Sequence, residues 1–284
     1  MYLYGMLSAA MAGLVAYRLV PVFSRLLIES GALRPNYQGR AIPLGVGFVF
    51  LWTSCLSLPW LHLAHQSETM GQPVAFVPLA LGAGCGFGLL GLFDDLLGSR
   101  QESGLKGHSN ALLAGRLTSG AIKALFGVGL GVALASYRSP GEIPLPFHRA
   151  LIIIDGGLIA GSANLINLLD LRPGRAAKVF LLGSLVLLLG GHPTAFTLLP
   201  WIGSIVGYLP FDLKGQVMMG DTGANALGAT LGLVAVYTLS WSTRLLLLAG
   251  IFGIHLLAEH ISLSLVIERC APLRILDGWG RPNP

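Results

Sequence analysis

Between Phe76 and Phe93 the chain reads FVPLALGAGCGFGLLGLF, eighteen residues without a charge, and stretches of this kind recur along its length. About twenty such residues in a helix cross the hydrocarbon core of a bilayer. A surface helix of a soluble domain would carry a polar stripe, whereas most of these segments are apolar all round. Composition agrees, with 54% hydrophobic and 11% charged residues against roughly a quarter charged in soluble domains. The runs are continuous rather than alternating, which argues against a membrane β-barrel. The expected fold class is all-α, a polytopic integral membrane protein with one transmembrane domain over residues 1–284. Nine spans are predicted, at 1–23, 42–63, 73–93, 119–136, 149–169, 178–191, 194–210, 223–240 and 244–266. The first lacks a basic start, so it is read as a span rather than a signal peptide. Cys55, Cys85 and Cys270 are scattered and suggest neither a disulfide framework nor a zinc site.

Lysine and arginine set the orientation. With the amino terminus outside, the inner segments 24–41, 94–123, 170–178, 211–222 and 267–284 hold 14 of the 18 basic residues. The carboxyl terminus is then cytoplasmic. Acidic residues have little topological preference of their own, yet Asp94, Asp95, Asp170, Asp212 and Asp221 all fall on that same side. Their gathering from distant parts of the chain points to a site on the cytoplasmic face of the plasma membrane.

Asp94 and Asp95 close the third span, Lys123 opens the fourth, NLINLLD brings Asn164, Asn167 and Asp170 to the end of the fifth, and Asp221 opens the eighth. The spacing of Asn164, Asn167 and Asp170 stacks three polar groups near one helical stripe. An unsatisfied amide inside an apolar span is costly, so the two asparagines should face the bundle interior or a wet cleft. Carboxylates with a lysine suit a hard cation and a phosphorylated substrate, since Mg²⁺ binds through one or two carboxylates and completes its shell with water and phosphate oxygens. Each element alone has a plainer reading: a solvated helix end for the Asp pair, helix–helix glue for the asparagines, a basic anchor for Lys123.

Four motifs, in order, resemble those of the polyprenyl-phosphate N-acetylhexosamine-1-phosphate transferases. RPNYQGRAIPLGVGF (34–48) is similar to that family's first cytoplasmic loop, GLFDDLLG to its G-x-x-D-D, NLINLLD to the start of N-x-x-N-x-x-D-G-x-D-G, and MMGDTGANALG to F-M-G-D-x-G-S-x-x-L-G. The resemblance implies transfer of a sugar phosphate from a UDP-N-acetylhexosamine to undecaprenyl phosphate, with release of UMP. It implies Mg²⁺ as cofactor on Asp221, the Asp94–Asp95 pair beside the lipid phosphate as base or metal-site residues, and Lys123 on phosphate. The expected partners are a polyprenyl phosphate acceptor, a nucleotide-sugar donor and the bilayer, with no nucleic acid and with a homodimer left open.

The chain departs from the family after Asp170, where DLRPGR puts Pro173 in place of a second acid and adds Arg172 and Arg175. It also lacks the family's histidine-rich loop, and the loop between the aspartate pair and Lys123 is longer than expected. Arg172 and Arg175 are candidates to hold the donor, because a guanidinium fork suits phosphate or carboxylate. Anchoring to lipid headgroups is their other reading. Two alternatives to the enzyme remain at this point: a relative that binds without turnover, and an ion-coupled transporter. The transporter would want charges near the bilayer midplane on several spans. A CDP-alcohol phosphotransferase would need a D-G-x-x-A-R motif, which is absent.

Overall fold

A computed structural model describes residues 2–56, 71–97, 118–138 and 145–282. Residues 57–63 of the predicted span 42–63 and most of the long loop before Lys123 lie outside the described residues. The architecture is an all-α bundle, and it is that of a membrane protein. In chain order it comprises α1 (Tyr2–Glu29), a hairpin of β1 (Leu33–Pro35) and β2 (Ala41–Pro43), α2 (Phe48–Cys55), α3 (Gly71–Leu97), α4 (Ser119–Ser136), α5 (Leu145–Leu169), α6 (Arg175–Leu189), α7 (Leu199–Leu213), α8 (Gly220–Thr238), α9 (Trp241–His260), α10 (Leu263–Arg269) and α11 (Ala271–Gly278). A 3₁₀ turn at Pro193–Leu198 leads into α7. Five of the described segments are long and apolar enough to cross a membrane: Leu3–Glu29, Phe76–Leu96, Phe147–Leu169, Pro193–Leu213 and Trp241–His260.

Several predicted boundaries shift, with consequences. The Asp94–Asp95 pair lies in the last turn of α3 rather than beyond it, and Asp221 lies in the first turn of α8. The ninth span ends at His260, and the chain resumes as two short helices whose residues are none of them buried.

Helix α8 is the centre of the bundle. Its small residues let neighbours approach until backbones touch: a Cβ on Gly228 would stand 2.3 Å from the Ser162 carbonyl oxygen of α5. In a bilayer, where lipid is as apolar as leucine, such close packing and polar contacts supply much of helix association. The hairpin matters because of where it leads. It pairs Leu33 with Pro43 and Arg34 with Ile42, and its turn is tied by Asn36 Oδ1, which accepts the Gln38 and Arg40 N–H groups at 2.9 and 3.0 Å. Its exit strand then holds the segment before α8: Met218 N–H donates to Pro43 O, and Gly47 N–H donates to Met219 O. The hairpin thus fixes the start of α8.

Near the middle of α5, Asp155 forms an ion pair with Arg244 of α9, both under a twentieth exposed. Fifteen residues of helix, about 22 Å, separate Asp155 from Asp170. Arg244, at the start of the predicted ninth span, is inside the protein and tethers α9 to α5.

Candidate active site

Gly91 sits one turn before the aspartate pair, and a Cβ there would stand 2.2 Å from the Asp221 carbonyl oxygen. Only glycine lets α3 and α8 cross at the level of the acids. The crossing brings four predicted residues together. Lys123 Nζ donates to the Asp221 carboxylate and lies 3.5 Å from Asp94 Oδ2. Asn167 Nδ2 donates to the same Asp221 oxygen at 2.9 Å. Thr118 caps α4 by accepting the Ala121 N–H at 3.1 Å, which fixes the turn that carries Lys123. Lys123, Asp94 and Asp221 are 17%, 23% and 28% exposed, so the cluster is reachable yet partly shielded from water. Low local dielectric strengthens such contacts.

Asp95 does something else. Its Oδ1 accepts the Asp221 N–H at 3.0 Å, and its Oδ2 accepts the Thr222 N–H at 3.0 Å and the Thr222 hydroxyl at 2.7 Å. A carboxylate from α3 therefore caps the N-terminus of α8, where orphan N–H groups and the helix dipole favour an anion. Gly220 makes room for it: its φ is +71°, and a Cβ would stand 2.6 Å from Asp95 Oδ2. The pair that the sequence offers as one catalytic unit is divided, with Asp94 facing Lys123 and Asp95 holding the helix that presents Asp221. Thr222, which sequence reading passed over, completes the cap; a hydroxyl next to a helix-opening acid is the signal that could have flagged it.

Asp170 ends the α5 turn. Burial pushes its carboxyl well above the usual carboxylate range, and Asp212, Asp221 and Asp95 push it further. The buried Asp212 accepts the Gly174 N–H at 2.8 Å, which ties the turn after α5 to α7. Among the described residues no three acid, histidine or cysteine side chains stand close enough to hold a metal ion by themselves. The donor set still fits Mg²⁺, which needs only one or two carboxylates when substrate phosphate and water complete its shell, and among the described residues the carboxylates around Asp170 and Asp221 outnumber the lysine that meets them. Asn164 is exposed, one turn from Asn167 on the same helix.

The two arginines of the divergent turn take other partners. Arg172 lies 3.5 Å from Glu268 of α10 and stacks 4.8 Å over the Tyr37 ring. Arg175 is 4% exposed and forms a two-pronged bond to Asp277 of α11, at 2.7 and 3.0 Å, with a third to Ser264 Oγ at 2.9 Å. Lys178 donates to the Asp277 carbonyl and Arg281 to the Asp277 carboxylate. The predicted donor-binding role of Arg175 is therefore not what its geometry suits: its fork is turned onto the chain's own C-terminal helix.

This clasp carries a stability prediction. Arg175 is the buried member of the pair, and removing its partner leaves a buried charge without its counter-charge, which costs about 3 kcal/mol or more. Asp277→Ala is expected to lower the unfolding temperature and to speed proteolysis at α10–α11. Burial pushes the Asp277 carboxyl up, but the hydrogen bonds and charges of Arg175 and Arg281 outweigh it and hold the group below the usual carboxylate value. Its contribution is therefore complete above about pH 4, near the unfolded value, and is lost as pH falls through the lower folded one. The wild-type and Asp277→Ala melting curves should converge in that acid range and differ at neutral pH.

Comparison with known proteins bears on this centre. Residues 77–239, from within α3 to the end of α8, match the family described as Glycosyl transferase family 4. A phospho-N-acetylmuramoyl-pentapeptide-transferase of Acaryochloris marina is 32% identical over 288 positions, covering 96% of this chain and 74% of the relative. Proteins of the same name from Clostridium kluyveri and Bacillus cytotoxicus are 29% and 26% identical, each covering 90% of this chain and over four-fifths of the relative. The matched region contains Asp94, Lys123, Asn167 and Asp221 together, and the chain belongs to Glycosyl transferase family 4, among the polyprenyl-phosphate hexosamine-1-phosphate transferases.

Proposed function

We propose that this membrane phospho-sugar transferase moves an N-acetylhexosamine-1-phosphate from a UDP-sugar to undecaprenyl phosphate at the cytoplasmic face of the inner membrane, in cell-envelope glycan synthesis. The observation that carries the reading is the meeting of Lys123, Asp94, Asn167 and Asp221, from four helices, at one end of the bundle. In the reaction an oxygen of the lipid phosphate attacks the sugar-bearing phosphorus of the donor. A new P–O–P linkage forms as the old one breaks, and UMP leaves with the electron pair. Lys123 offsets phosphate charge, a positioning and electrostatic task of the kind that dominates phosphoryl transfer. Asp94, beside that lysine, takes any proton left on the acceptor phosphate. Asn167 and Lys123 orient the Asp221 carboxylate, and Asp95 holds the helix end beneath it. Asp221, with Asp170 next to it, would hold Mg²⁺, which when bound neutralises the donor's diphosphate.

A second reading, binding without turnover, is favoured by one observation. The turn that carries a second acid in the family carries Pro173 here, and Arg175 beside it is committed to Asp277. Purified protein incubated with donor, acceptor and Mg²⁺ separates the two, since only the transferase yields a lipid diphosphate sugar and UMP. Orientation is tested independently. A reporter fused after Pro284 should behave as cytoplasmic, and a periplasmic signal would scatter the basic segments onto the wrong face.

A further inference from the structure

A cavity of about 380 Å³ lies between α1, the hairpin, α2 and α3, with Asp95 in its lining. That is within the range of about 300–1,000 Å³ in which pockets hold ligands. Its walls are apolar. Phe23 and Phe48 stack on each other along one wall, with ring centroids 5.8 Å apart, and Leu92 and Leu96 of α3 also line it. Leu96 is 68% exposed, so the cavity opens at the surface of the bundle, at the same end as the polar centre. Among the described residues, the polar side chains that line it are Arg34 and Asp95. Arg34 makes a 3.4 Å contact with the Asp95 carbonyl oxygen, long for a hydrogen bond, so its guanidinium retains donors for an anion. Arg25 and Arg40, both exposed, add positive charge around the hairpin.

An apolar slot with a cation at its mouth, at the end of membrane helices, has the chemistry of one lipid: a chain in the slot and a phosphate on the arginine. We propose that this cavity binds an anionic phospholipid, with one acyl chain between Phe23, Phe48 and Leu92 and the headgroup phosphate on Arg34. The lipid would pack behind Asp95 and support the carboxylate that caps α8. The assignment is separate from the identity of the transferred sugar, and its test involves no turnover.

The test is native mass spectrometry of the purified full chain, delipidated and then exposed to phosphatidylglycerol or phosphatidylcholine with identical acyl chains. One phosphatidylglycerol should be retained at least tenfold more strongly than phosphatidylcholine. Arg34→Gln should remove that preference. Leu92→Trp, which fills the slot and leaves the arginine, should abolish retention of both. If Leu92→Trp does not fold, the Arg34→Gln result decides alone. Equal retention of the two lipids by the wild type, or an undiminished preference in Arg34→Gln, would overturn the proposal. So would displacement of the phospholipid by equimolar undecaprenyl phosphate, which would make the cavity an acceptor site instead.

Discussion

Replacing Asp221 by alanine is expected to lower turnover by on the order of a hundredfold or more, the usual effect of removing a principal electrostatic stabiliser of a transition state. The protein should remain folded, because Lys123 keeps Asp94 as a partner and the α8 cap runs through the Asp221 backbone N–H rather than its side chain. The adjacent aspartates provide the contrast. Asp94→Asn should lose activity with little change in unfolding temperature. Asp95→Asn should lose both, since its new NH₂ group would face the N–H donors of α8, and a hydrogen bond to a charged group contributes about 1.5–3 kcal/mol. Initial rates and melting temperatures of the three variants, measured side by side, check the division. Equal melting temperatures for Asp94→Asn and Asp95→Asn would refute the capping role.

Asp170→Asn is expected to act in opposite directions on stability and on function. The carboxyl is partly buried and close to the charges of Asp212, Asp221 and Asp95, and its ionisation is disfavoured accordingly. A group whose folded value is raised weakens the fold once pH exceeds its unfolded value of about 4, and the penalty grows until the folded value is passed. Removing the charge should therefore raise the melting temperature at neutral pH in metal-free buffer. The same change should lower turnover at least tenfold and shrink the stabilisation that added Mg²⁺ gives the wild type, since a ligand stabilises only the state that binds it. A melting temperature below wild type without metal would show that Asp170 serves the fold and not the site.

The helices were legible because apolar runs of bilayer length have few alternatives, and the site was legible because acids are scarce in this chain and fall together. What escaped the sequence depends on direction or distance. Asp94 and Asp95 are neighbours in sequence, but successive residues on a helix of 3.6 per turn point about 100° apart, so one meets Lys123 and the other the end of α8. The hairpin at 33–43 has strands of three residues each, too short for any alternation to register, and it is held by docking against Met218 and Met219. The predicted stripe of Asn164, Asn167 and Asp170 divides similarly, with Asn167 on Asp221 and Asn164 exposed. Arg175 finds its partner at Asp277, 102 residues on, which no local pattern announces. The Asp155–Arg244 pair is of the same kind: an acid within an apolar span needs a partner, but the partner's place depends on how α9 packs.

The central claim is that the Lys123–Asp94–Asn167–Asp221 cluster transfers a sugar phosphate to a lipid phosphate. It is tested most directly by incubating the purified protein with sugar-labelled UDP-N-acetylhexosamine, undecaprenyl phosphate and Mg²⁺, then following label in the organic phase and nucleotide in the aqueous one. The account predicts a labelled lipid diphosphate sugar with one UMP released per product, and loss of both in Asp221→Ala. Release of UDP in place of UMP, or equal product from wild type and Asp221→Ala, would contradict it.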